Sequence, residues 1–128
     1  MTITLRGRVI SKKNSPILVK GRAIRLPSKA YSAFRDAALW QLKSHRERFV
    51  KPLEVCISFE LKGRMDADLD NLVSSVFDVL QDSGIITDDK LVERLVATKS
   101  LGHSDWVTNI DIREVWYESL SNAQAYQP

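Results

Sequence analysis

Seven of the 16 acidic residues fall between Asp66 and Asp89, and three of them alternate with other residues in Asp66-Ala67-Asp68-Leu69-Asp70-Asn71. Carboxylates at that spacing repel one another unless water or a positive group sits among them. Their oxygens suit a hard divalent cation, Mg²⁺, Mn²⁺ or Ca²⁺, and no His or Cys stands nearby to favour a softer metal. A calcium loop of the EF-hand type would need Gly at its sixth position and Glu at its twelfth, where this sequence has Asn71 and Phe77. Two plainer explanations stand beside a metal. Asp is a favoured helix N-cap and acids in a first turn complement the helix dipole, while Asp88-Asp89, after Ile85-Ile86-Thr87, has the composition of a turn.

The elements around these acids follow from periodicity. Leu69, Leu72, Val73, Val76, Phe77 and Leu80 form an apolar stripe on a helix from Leu69 to about Asp82, ended by Ser83-Gly84. Such a helix is about 20 Å long at 1.5 Å per residue, so the acids before it and after it meet only if the chain doubles back or a second subunit intervenes. Upstream, Leu53 to Lys62 alternates as a strand with Leu53, Val55, Ile57, Phe59 and Leu61 inward; Cys56 lies on the polar side and receives no role. Ser28, after Pro27, caps a helix expected to run to about Arg48, with Tyr31, Phe34, Ala38 and Leu42 on one face and Lys29, Lys43, Arg46 and Arg48 outward.

Thr2 to Ile10 reads as an opening strand, followed by the basic loop from Ser11 to Pro16 and a short hairpin about Gly21. Leu91 to Lys99 and Val107 to Trp116 read as two closing strands, and Trp40, Trp106 and Trp116 are assigned to the core. The fold class is α+β: a single domain over 1–118, with a mostly antiparallel or mixed sheet and two main helices packed on it. The polar tail, 119–128, reads as disordered.

Length and composition fit this. With 128 residues, 44% of them hydrophobic, the chain can bury one core. No apolar run approaches the roughly 18 to 20 residues of a membrane span, and the N-terminus lacks the features of a secretory signal, so a soluble cytoplasmic protein is expected. One cysteine excludes an intrachain disulfide, and with two histidines gives no zinc spacing. The net charge of +3 hides an asymmetry: residues 1–64 carry 15 Lys/Arg against four acids, and residues 65–128 carry four against 12. A polyanion-binding surface built from the first half accounts for this, as do unrelated charged faces on an ordinary domain.

From Asp68 onward the sequence resembles the RusA family of Holliday junction resolvases. Asp68-Leu69-Asp70-Asn71-Leu72 is similar to the family's Asp-x-Asp-Asn motif, Phe77-Asp78-Val79-Leu80 to its helix element, and Ser83-Gly84-Ile85-Ile86-Thr87-Asp88-Asp89 to its Asp-Asp turn. Weaker likeness runs through Val92 to Lys99, Asn14, and Tyr31 to Arg35. The resemblance implies a homodimeric, Mg²⁺-dependent endonuclease, with Mn²⁺ a substitute, that binds four-way or branched DNA and makes paired symmetric nicks. It implies Asp68, Asp70 and Asp89 as catalytic metal ligands. Asn71, Asp88, Lys90 and Lys99 are supporting candidates, and Asp66 stands with Asp88 as an outer or solvated acid. Lys12, Lys13, Asn14, Lys62 and Arg64 are the phosphate-contact candidates. Compact members of the family often belong to phages or prophages.

One departure stands out. The family usually places Lys four residues after the second Asp of the motif, and Ser74 occupies that position here. A lysine one turn along the helix could hold the scissile phosphate; serine carries no charge, and Lys90 or Lys99 would have to replace it. Two alternatives therefore remain beside an active resolvase: a catalytically impaired junction-binding protein, and a metal-stabilised interaction domain without DNA cleavage.

Overall fold

A computed structural model describes residues 1–12, 17–19, 21–24 and 28–115. The strictly alternating segment Leu53–Lys62 forms β4, the centre of a four-stranded mixed sheet. Numbered in chain order, β1 is Thr2–Arg6, β2 is Ile17–Val19, β3 is Arg22–Ile24, β5 is Val92–His103 and β6 is Val107–Glu114. The sheet order is β1-β6-β4-β5, with β6 antiparallel to both β1 and β4 and β5 parallel to β4. Strands β2 and β3 make the separate hairpin, with Gly21 at φ 77° in its turn.

Two helices, α1 (Lys29–Leu42) and α2 (Leu69–Ser83), cover one face of the sheet. That face supplies Ile3 and Leu5, the five inward residues of β4, and Ile110 and Ile112, all buried. Tyr31, Phe34, Ala38 and Leu42 of α1 and Leu72, Val73, Val76, Val79 and Leu80 of α2 close the core. The single α+β domain and mixed sheet agree with the sequence expectation, and Cys56 lies on the half-exposed side of β4 as expected.

Several boundaries differ for identifiable reasons. Helix α1 stops at Leu42, because the next positions on its inner face, His45 and Arg46, offer nothing apolar to bury; Lys43 and His45 instead turn back onto the carbonyls of Trp40 and Leu42. Strand β1 ends at Arg6, since Gly7 takes φ 109° and donates its N–H to the carbonyl of Trp106. Strand β5 runs on to His103, beyond the expected Lys99, and Leu91 belongs to a short 3₁₀ turn before it. The α2 stripe is rotated slightly: Leu69 and Phe77 are only partly buried, while Val79 and Ser75 are fully enclosed. Ser75 tolerates this because its hydroxyl donates to the carbonyl of Ile10 at 2.7 Å. Trp40 is 74% exposed and not core, whereas Trp106 packs against the core's edge. Trp116 and the 119–128 tail lie outside the described residues.

Candidate functional site

Asp68 occupies the N-cap position of α2, with extended backbone, yet its carboxylate makes no capping bond. Its carbonyl accepts the Leu72 N–H at 3.1 Å, and its Oδ2 accepts instead from the side-chain Nδ2 of Asn71 at 3.3 Å. Asp70, in the first turn, accepts the Asn71 backbone N–H at 2.9 Å. Both carboxylates are exposed at the start of the helix, where its dipole favours negative charge. Lys99, reaching across from β5, donates to Asp66 Oδ1 and to the Ala67 carbonyl, both at 2.8 Å. The Lys99 ammonium and the Ala67 N–H hold the Asp66 carboxyl below its ordinary range. A cation thus stands beside the acidic motif, supplied by the neighbouring strand and not by α2, whose residue 74 is an exposed serine.

At the far end of α2, Gly84 takes φ 81° and reverses the chain. Ile86 then bridges to Phe49 and the chain enters the 3₁₀ turn Asp89–Leu91. Asp88 caps that turn, accepting the Lys90 N–H at 2.9 Å, and this contact holds its carboxyl low. Asp89 is tied back to α2 through its N–H and Gln81 Oε1 at 3.2 Å. The hydrogen bond with Asp88, then burial and the charges of Asp88 and Asp78, push the Asp89 carboxyl upward. Asp88 therefore serves the turn, and Asp89 is the member of the pair that a cation would relieve.

The fold keeps the two acidic groups at opposite ends of α2. Among the described residues of one chain, no three His, Cys, Asp or Glu side chains come together closely enough to hold a metal ion. The donor chemistry of Asp68, Asp70 and Asp89 is all-oxygen and fits a hard divalent cation, but a single chain supplies at most two of the three at one place.

Between the ends lies a feature the sequence reading did not single out. Asp70, Ser74, Asp78 and Asp82 follow one another at four-residue intervals along α2, a spacing visible in the sequence. Asp78 meets Lys12 at 3.7 Å and Asp82 accepts from Arg35 Nε at 2.9 Å. The Tyr31 phenol, enclosed in the core and facing the Asp78 carboxylate, is raised by burial first and by that charge second. Beyond Asp82 a cleft of about 470 Å³ is lined by Lys43, His45, Arg46 and Arg48. Of the proposed phosphate contacts, Lys12 is thus engaged by α2, Lys62 lies over the Trp106 ring at 5.3 Å, opposite Arg8, and Arg64 is exposed in the turn before Asp66. Lys13 and Asn14 lie outside the described residues.

Over residues 7–113 the chain matches the family model described as endodeoxyribonuclease RusA, and it belongs to that family. No curated protein matches it. At the level of the family it is a crossover junction endodeoxyribonuclease, a DNA-binding enzyme of recombination that acts on branched junction DNA. No described helix is long and apolar enough to cross a membrane.

Proposed function

We propose that this chain is an active, Mg²⁺-dependent Holliday junction resolvase that makes paired symmetric nicks as a homodimer. The observation that carries this reading is that Asp68 stands at an N-cap without using its carboxylate as a cap, and is steered by Asn71 toward Asp70's side of the helix start. A capping role would have spent that oxygen on the Tyr31-type contact seen in α1, where Ser28 accepts from the Tyr31 N–H at 3.0 Å. Asp68, Asp70 and Asp89 would hold the cation, which when bound supplies an activated water and stabilises the leaving oxygen. Asn71 positions the Asp68 carboxylate. Lys99 brings to the motif the positive charge that Ser74 lacks, while Lys62, Arg64, Lys12, Lys13 and Asn14 contact phosphates. Mn²⁺ would substitute because the ligands are carboxylates.

The experiment is cleavage of a synthetic four-way junction with Mg²⁺, alongside Asp70→Asn and a linear duplex of the same sequence. Symmetric nicks in the junction alone, lost in the variant while junction binding persists, are expected. Tight binding by the natural chain without nicks would favour the second reading, an impaired junction binder, whose specific support is the exposed Ser74 one turn beyond Asp70. Divalent-ion stabilisation without salt-sensitive DNA binding would instead mark an interaction domain.

A further inference from the structure

Strand β5 forms one edge of the sheet, and among the described residues its strand neighbour is β4 alone. None of its 12 residues is buried, and Leu95, Val96 and Leu101 are 42%, 43% and 47% exposed. The irregularities in its pairing with β4 fall near its two ends, so the middle, Leu95-Val96-Ala97-Thr98, is straight, uncharged and free of proline. An edge of that kind, about 40 Å long, is a template for another strand.

Its course also matters. Strand β5 begins just after the Asp89 turn and by Lys99 has reached the Asp66–Ala67 segment, so it spans the same interval as α2. An antiparallel copy of the same strand laid on this edge would reverse that order. Both helix layers would remain on one face, and the Asp89 end of one copy would lie beside the Asp68 and Asp70 end of the other.

The geometry points to a second copy of this chain as the occupant of the β5 edge, paired antiparallel about a two-fold axis at Val96, so that Asp68 and Asp70 of one copy and Asp89 of the other complete each carboxylate set. The carboxylate half of this inference rests on the function proposed above. The register is chosen by charge: centred on Val96, Glu93 falls opposite Lys99 and Arg94 opposite Thr98, whereas a shift by one residue would set Arg94 against Lys99. Two such sheets join into one of eight strands.

The interface is tested on the full chain, independently of cleavage. The natural protein is expected at twice its 14.5 kDa chain mass by light scattering. Val96→Glu sets two carboxylates against each other at the axis and is expected to give the monomer mass with the melting profile of a folded protein, since Val96 is exposed. Val96→Cys is expected to form an intersubunit disulfide, because facing residues of an antiparallel pair lie within disulfide reach. This variant is made in a Cys56→Ser background, Cys56 being the register neighbour of Val96 on β4. A monomeric natural chain, or a dimer that ignores Val96→Glu and does not cross-link at position 96, overturns the interface. Cross-linking that arises only after residues 116–128 are removed assigns the edge to the chain's own C-terminal segment and overturns it too.

The shared site is tested by mixing Asp70→Asn with Asp89→Asn chains. Each alone is inactive, but a mixed dimer built as inferred holds one intact carboxylate set, giving about a quarter of the natural nicking rate and nicks in single strands. No recovery from an exchanged mixture, with the natural dimer active, overturns the sharing. An inactive natural dimer defeats the proposed nuclease function and with it the shared site, leaving the interface to stand on its mass and cross-link.

Discussion

Asn71 is the smallest unit on which the site depends, since its side-chain amide holds Asp68 while its backbone N–H holds Asp70. Asn71→Ala removes the first contact and keeps the second. The concentration of Mg²⁺ needed for half-maximal nicking is expected to rise by about 10- to 100-fold, the usual cost of losing a group that orients a metal ligand, with junction affinity unchanged. Tyr31 shows how the same helix shapes a titration far from the nicking chemistry. Its phenol is raised above the ordinary 10.0 by burial and by Asp78, so the folded state holds the proton more tightly than the unfolded chain. The stability this contributes is complete below pH 10.0 and is lost as pH rises through the higher folded value. Thermal melts of Tyr31→Phe are accordingly expected to fall less steeply than those of the natural chain above that pH.

At the scale of elements, α2 carries the consequences of one buried hydroxyl. Ser75 is fully enclosed and its Oγ ties the helix to the Ile10 carbonyl, fixing how the chain beyond β1 approaches the acidic face. Ser75→Ala leaves that carbonyl without its partner and is expected to cost about 1–2 kcal/mol, read as a lower urea midpoint at constant slope. The N-cap at Ser28 and the left-handed Gly84 then delimit the two helices. Gly84 also lies against Arg48, whose guanidinium would stand 2.5 Å from an added Cβ, so the turn and the basic cleft are built together.

For the molecule as a whole, the basic first half is divided between structural and DNA-facing work. Lys12 is bound to Asp78 in the free protein, so DNA must compete with an existing ion pair for it. Removing Lys12 and Lys13 together is expected to weaken junction binding and to flatten the dependence of log affinity on log salt by about 2, one for each lost phosphate contact. An unchanged slope would remove the loop from the interface. The fold also explains why the charge asymmetry does not become two separated poles: Arg35 and Lys12 from the basic half meet Asp82 and Asp78 from the acidic half across the two helices.

The amino-acid sequence by itself determined the central strand, the two amphipathic helices and the acidic motif, because each rests on spacing within a few residues. Val55 and Ile57 point inward for the same reason that Cys56 does not, and Asp68-x-Asp70-Asn71 sits at a helix start because the apolar stripe begins there. Contacts between distant segments were illegible. The end of α1 at Leu42 depended on what its next turn would have faced, Lys99 was placed at Asp66 by the parallel pairing of β5 with β4, and the burial of Ser75 depended on a carbonyl 65 residues away. The separation of Asp89 from Asp68 and Asp70 was foreseeable from helix length, but only the tertiary structure decided that the chain does not double back to close it, because the strand that follows Asp89 runs parallel to β4 along the whole of α2.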